Sequence, residues 1–82
     1  VAVTVEVLLF ASFAEALGQH RLSLQLGPGA TAGDVLAEVL SRAPAASLPR
    51  RPLLAVNERY APAERHLKPG DVVAIVPPVA GG

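Results

Sequence analysis

The chain has 82 residues, of which 51% are hydrophobic, and its seven basic residues are cancelled by seven acidic ones. That length fits one small domain with a modest core, and a balanced charge leaves no net field to hold nucleic acid or an anionic membrane surface. Cysteine is absent, which excludes disulfides, thiolate metal sites and a cysteine nucleophile, so any sulfur the chain handles must be brought to it.

Residues 3 to 9 alternate Val3, Val5, Val7 and Leu9 with Thr4, Glu6 and Leu8, the period of a strand with one buried face. Ser12 and Glu15 stand at capping-box spacing, which predicts a short helix running to Leu17, with Gly18 placed to take the left-handed conformation that ends it. Arg21 to Leu26 alternate again, and so short an intervening helix predicts that the two strands pair antiparallel. Gly27-Pro-Gly29 closes the second strand. Thr31 then reads as the N-cap of the main helix, roughly 32 to 42, with Asp34 in its positive first turn. Val35, Leu36, Val39 and Leu40 form its apolar stripe, and Glu38 and Arg42 an i, i+4 pair in water.

From Ala43 to Pro52 the composition turns to Ala, Pro, Ser and Arg, and Pro44, Pro49 and Pro52 bar regular structure, so this stretch reads as a surface crossover. Leu53 to Asn57 is a short apolar strand, Asn57-Glu58 a turn, and Arg59-Tyr60-Ala61 an edge strand stopped by Pro62. Lys68-Pro-Gly-Asp71 is a turn that feeds a last, β-branched strand, Val72 to Val76. The expected fold class is α+β, with four or five mixed strands packed on one main helix. Val5, Val7, Val35, Leu36, Val39, Leu40, Leu54, Val56, Val73 and Ile75 are its expected core. Only Phe10, Phe13 and Tyr60 are aromatic, so aliphatic side chains must fill that core.

Pro77-Pro78 removes two backbone donors and fixes φ, so sheet pairing must stop there. The expected division is a folded domain over 1–77 and an extended tail over 78–82. A frayed terminus is the plain alternative, but disordered tails are usually polar, and Val79 and Ala80 beside Gly81-Gly82 suit an arm that enters a partner's pocket. A terminal glycine carboxylate can be activated as an acyl-adenylate and passed to a nucleophile, and a glycine leaves the reacting carbon open on both faces.

Val7-Leu-Leu-Phe-Ala11 before a short helix, Ala55-Val-Asn57, Leu67-Lys-Pro-Gly-Asp71 and Val73-Ala-Ile-Val-Pro-Pro-Val-Ala-Gly-Gly82 carry a family resemblance across nearly the whole chain. The chain resembles the ubiquitin-like β-grasp sulfur carriers, and among them the MoaD family, the small subunits of molybdopterin synthase. Two positions depart from the family pattern: Val72 follows Gly-Asp where an acidic residue is common, and Ala80 stands where Ser or Thr is common. The resemblance implies that Gly82 is the reactive residue, with Gly81 beside it, and that Pro77, Pro78, Val79 and Ala80 form the partner-binding tail. It implies no cofactor bound by this chain, ATP and Mg²⁺ being used by an activating enzyme. The implied partners are a MoaE-like large subunit in a heterotetramer, a MoeB-like adenylyltransferase of the ubiquitin-activating type, and a sulfur donor.

Elsewhere the chain offers little chemistry. His20 and His66 lack partners at ligand spacing, so no metal is expected. Asp34 and Glu38 have structural roles, Gly27-Pro-Gly29 does not continue as a phosphate loop, and Arg50-Arg51 reads as solvated charge. Lys68 is the only lysine. No apolar run approaches the ~20 residues of a membrane span, and no leader pattern opens the chain, so a cytoplasmic protein with neither membrane nor nucleic acid as partner is expected. With no internal catalytic constellation, the chain reads as a sulfur-donating subunit. A sister carrier for thiamine or tRNA thiolation or protein modification, and a non-catalytic binding module, are the rival readings.

Overall fold

In the computed structural model, residues 2–42 and 52–76 are described, and the crossover over 43–51 and the tail over 77–82 lie outside them. Strand β1, Val3–Leu9, buries every second residue, Val3, Val5, Val7 and Leu9. Strand β2, Arg21–Leu26, lies antiparallel to it with Val7 opposite Leu22 and Val5 opposite Leu24. Both follow the alternation of the sequence, because only one face of the pair meets the helix.

Helix α1, Ala11–Leu17, corrects one expectation. Its N-cap is Phe10, with no side-chain cap, so Ser12 and Glu15 fall inside the helix and form no capping box. The helix follows directly on β1 and turns Phe13 and Ala14 into the core, and it starts two residues ahead of where a Ser12 cap would place it. Its end is as expected: Gly18 has φ +71° and donates its N–H to the Ala14 carbonyl at 2.9 Å, the left-handed cap that glycine adopts without Cβ strain.

Helix α2, Ala32–Arg42, opens on a reciprocal cap: the Asp34 N–H donates to Thr31 Oγ1 at 3.3 Å and the Thr31 N–H to Asp34 Oδ2 at 2.9 Å. The next two amides are satisfied by a distant loop. Ala32 and Gly33 donate to the carbonyls of Arg65 and Ala63 at 2.9 and 2.8 Å. A Cβ on Gly33 would stand 3.1 Å from Ala63 Cβ and 3.2 Å from its carbonyl oxygen, so this glycine is there for close backbone approach. Leu67, buried, anchors the same loop.

Strands β3, Leu53–Val56, β4, Arg59–Tyr60, and β5, Val72–Val76, complete a five-stranded sheet of order β2-β1-β5-β3-β4. β5 is central, parallel to β1 and antiparallel to β3. One sheet face, carrying Val5, Val7, Leu9, Leu24, Leu54, Val56, Val73 and Ile75, belongs to the same core as Phe13, Val35 and Val39. Leu36 and Leu40 were expected there too but are only half-buried. Val35 and Val39 occupy the middle of the helix stripe, and their i+1 neighbours sit about 100° round on its flank. Glu38 and Arg42 pair at 3.2 Å as expected, an exposed contact of small energetic weight.

Candidate functional site: the open sheet face and the exit of β5

All six expected site residues, Pro77, Pro78, Val79, Ala80, Gly81 and Gly82, lie outside the described residues, and the surface around the described end of β5 is what the structure offers beside them. The last described pairs are Leu9 with Ile75 and Leu53 with Val76. On the face turned away from α2, the register sets Leu8, Ala74, Ala55 and Tyr60 in one row across β1, β5, β3 and β4. Phe10, Leu53 and Tyr60 are exposed, at 46%, 42% and 75%, and Leu8, Val72, Ala74 and Val76 are half-buried. A groove of about 370 Å³ runs along this face, lined by Leu8, Phe10, Asn57, Glu58, Val72 and Ala74. Another, of about 550 Å³, opens between α2 and the β3–β4 edge and is lined by residues such as Leu36, Pro52, Leu54 and Pro62. The first borders β5 itself. Of the apolar residues near this exit, Phe10 is exposed, whereas Leu54 and Ile75 are buried in the core.

The start of β5 is clamped by polar groups. Asn57 Nδ2 donates to Asp71 Oδ1 at 2.9 Å, the Val72 N–H donates to Asn57 Oδ1 at 3.0 Å, and the Lys68 N–H donates to Asp71 Oδ2 at 2.8 Å. The Asn57 N–H also donates to the Val72 carbonyl at 2.8 Å. Asn57 and Glu58 both take positive φ, +52° and +72°, as a two-residue hairpin between twisted strands requires. The clasp thus ties the β3–β4 hairpin to the Lys68–Asp71 turn and fixes where β5 begins. The sequence shows both turns, but nothing local places them side by side.

The Lys68 N–H and then the Asn57 amide hold the Asp71 carboxyl below the usual carboxylate range, with Arg65 and Lys68 adding positive charge nearby. Because the native pKa is lowered, this stabilisation is complete above the unfolded value of about 4 and fades as pH falls through the native value. Asp71→Ala should cost about 1 kcal/mol at pH 7, below the usual range for bonds to a charged group because water reaches the site. Urea midpoints of the two proteins should converge in strong acid, and a gap undiminished there would contradict a role for the ionised carboxylate.

Among the described residues no group of three or more His, Cys, Asp or Glu could hold a metal ion, and no helix is long and apolar enough to cross a membrane. His20 accepts the Leu9 N–H at 2.8 Å through its carbonyl, and His66 bridges to Thr31. Glu6 pairs with Arg21 at the polar end of the open face.

A mixed five-stranded sheet wrapped on one long helix, with its last strand central and ending beside a bare apolar face, defines the ubiquitin-like β-grasp class. Residues 7–82 match the ThiS family, and the chain belongs to that family. It is 38% identical over 81 residues to the molybdopterin synthase sulfur carrier subunit of Chlamydomonas reinhardtii, covering 95% of this chain and 98% of that one. Its structure is similar to that of small archaeal modifier protein 1 of Haloferax volcanii, with a TM-score of 0.81 at 27% identity over 94% of this chain and 99% of that one. It also resembles Caldiarchaeum subterraneum ubiquitin, with a TM-score of 0.67 at 19% identity over the whole of both chains, a likeness of fold alone.

Proposed function

We propose that this chain is the sulfur carrier subunit of a molybdopterin synthase, with Gly82 as its reactive end. The observation that carries the reading is the 38% identity, over nearly the full length of both chains, to a relative of that name. A carboxylate oxygen of Gly82 attacks the α-phosphorus of ATP on a MoeB-like adenylyltransferase, and pyrophosphate leaves. Hydrosulfide supplied by a sulfur donor then attacks the acyl carbon, AMP leaves, and a thiocarboxylate remains after loss of the proton. Its sulfur is the better nucleophile, which is the reason to activate the tail. In a MoaE-like large subunit that sulfur attacks cyclic pyranopterin monophosphate, and hydrolysis of the acyl link returns the carrier with its carboxylate. Each carrier brings one sulfur, so a dithiolene consumes two. The chain itself holds no cofactor; ATP and Mg²⁺ belong to the activating enzyme.

In this reading the apolar open face is the docking surface for the large subunit, since contiguous exposed apolar area on a small domain usually marks an interface. Phe10→Asp tests it. Phe10 is the N-cap of α1 with extended backbone, φ −127° and ψ 151°, and Asp is among the residues favoured at such a position. The variant should fold at least as well as wild type, yet lose co-purification with the large subunit and dithiolene formation. Retained binding would place the interface elsewhere.

The structural likeness to a small archaeal modifier protein favours a second reading, in which the same activated carboxyl acylates a lysine amine of a target protein. A thiolated pterin product supports the first reading, and a covalent protein conjugate supports the second.

A further inference from the structure

The outer edge of β2 has no role in the activity proposed above. The Leu9 N–H donates to the His20 carbonyl at 2.8 Å, which makes Leu9 and His20 a hydrogen-bonded pair of the antiparallel β1–β2 ladder. Such pairs recur at every second residue. In the observed register, Val7 with Leu22, Val5 with Leu24 and Val3 with Leu26 are therefore the other bonded pairs. Arg21, Ser23 and Gln25 turn their N–H and carbonyl groups the opposite way, toward the free edge, and β2 has no strand on that side among the described residues. All three side chains are exposed. Edge strands are commonly blunted by proline, lysine, a bulge or short length. β2 has six residues and neither proline nor lysine, and its one charged side chain, Arg21, is occupied by Glu6.

We infer that this edge pairs antiparallel with the same edge of a second copy, about a two-fold axis at Ser23. That register sets Ser23 against Ser23 of the second copy and Arg21 against Gln25, so every outward N–H and carbonyl of the three residues is matched. No like charges meet across the seam, and a chain without net charge carries no long-range repulsion against its own copy. On the helix-facing side the register places Leu22 against Leu24 of the second copy as a non-bonded pair, where side chains approach most closely. Both sheets then present the same face to their helices, forming one continuous ten-stranded sheet. The two β5 strands stand five strand spacings apart, about 24 Å, so neither exit is obstructed. A seam of one short strand buries less than the ~1,000 Å² of a stable interface, and dissociation constants on the order of 0.1–1 mM are expected.

Charge at the two-fold position tests this. Sedimentation and amide shifts of the full chain, followed from 0.05 to 2 mM, should show wild-type self-association, with the shifts centred on Arg21, Ser23 and Gln25. Ser23→Lys and Ser23→Glu should each be folded and monomeric, because residue 23 would face its own charge, and an equimolar mixture of the two should restore pairing. A wild type that stays monomeric at 2 mM, a charge variant that still associates, or a mixture that does not recover would overturn the inference. Sulfur transfer by the charge variants should equal wild type, so the result is independent of the function proposed for the tail.

Discussion

Deleting Gly82, or adding one residue beyond it, should leave the melting temperature unchanged and bring sulfur transfer to zero. The fold is indifferent because the last buried side chain of the described core is Ile75, seven residues before Gly82. Chemistry is not indifferent. Removing one residue moves the terminal carboxyl by about 3.5 Å along an extended chain, while reacting atoms must be held near contact distance, and a misplacement of ~1 Å already costs about 100-fold. Gly81→Ala should fall between wild type and the deletion, since a Cβ crowds any channel shaped for bare backbone and restricts φ. A deletion variant that still forms dithiolene at the wild-type rate would remove Gly82 from the mechanism.

Phe13→Ala should be the most damaging substitution in the folded part, at about 3–5 kcal/mol. Phe13 is 0% exposed, the largest of the fully buried side chains, and the only aromatic among them. Removing its ring leaves a cavity among aliphatic neighbours, many of them β-branched and stiff at χ1, which have little freedom to collapse into it. For a domain of this size such a loss is a large share of a total of about 5–15 kcal/mol. Denaturant unfolding of the purified variant measures it directly. A loss under 1 kcal/mol would mean that α1 does not depend on this ring for its attachment to the sheet.

The strands and the main helix were legible in the sequence because each is patterned by a single buried face. Val3 to Leu9 and Arg21 to Leu26 alternate, Val72 to Val76 is β-branched, and Thr31 with Asp34 opens α2 as local rules require. The misreadings arose where tertiary packing overrides a local signal. Ser12 and Glu15 have capping spacing, but the burial of Phe13 and Ala14 starts α1 at Ala11. Leu36 and Leu40 belong to an apolar stripe wider than the contact it makes. The Asn57–Asp71 clasp joins residues 14 apart that meet only because β5 lies beside β3, and the need for glycine at position 33 depends on a loop some thirty residues further on. The face of each apolar residue near the exit likewise required the β5 register, which sends Ile75 inward and Ala74 outward. Gly82, which the family resemblance implies as the reactive residue, lies outside the described residues.

Intact mass of the carrier tests the central claim most directly. Incubated with a ubiquitin-activating-type adenylyltransferase, ATP, Mg²⁺ and a sulfur donor, the chain should gain about 16 Da as oxygen is exchanged for sulfur at the activated carboxyl. Fragmentation should place the gain on Gly82, and omission of ATP should abolish it. A mass that stays unchanged while a known carrier is converted by the same enzyme, or a gain located on any other residue, would contradict the reading of this chain as a sulfur carrier.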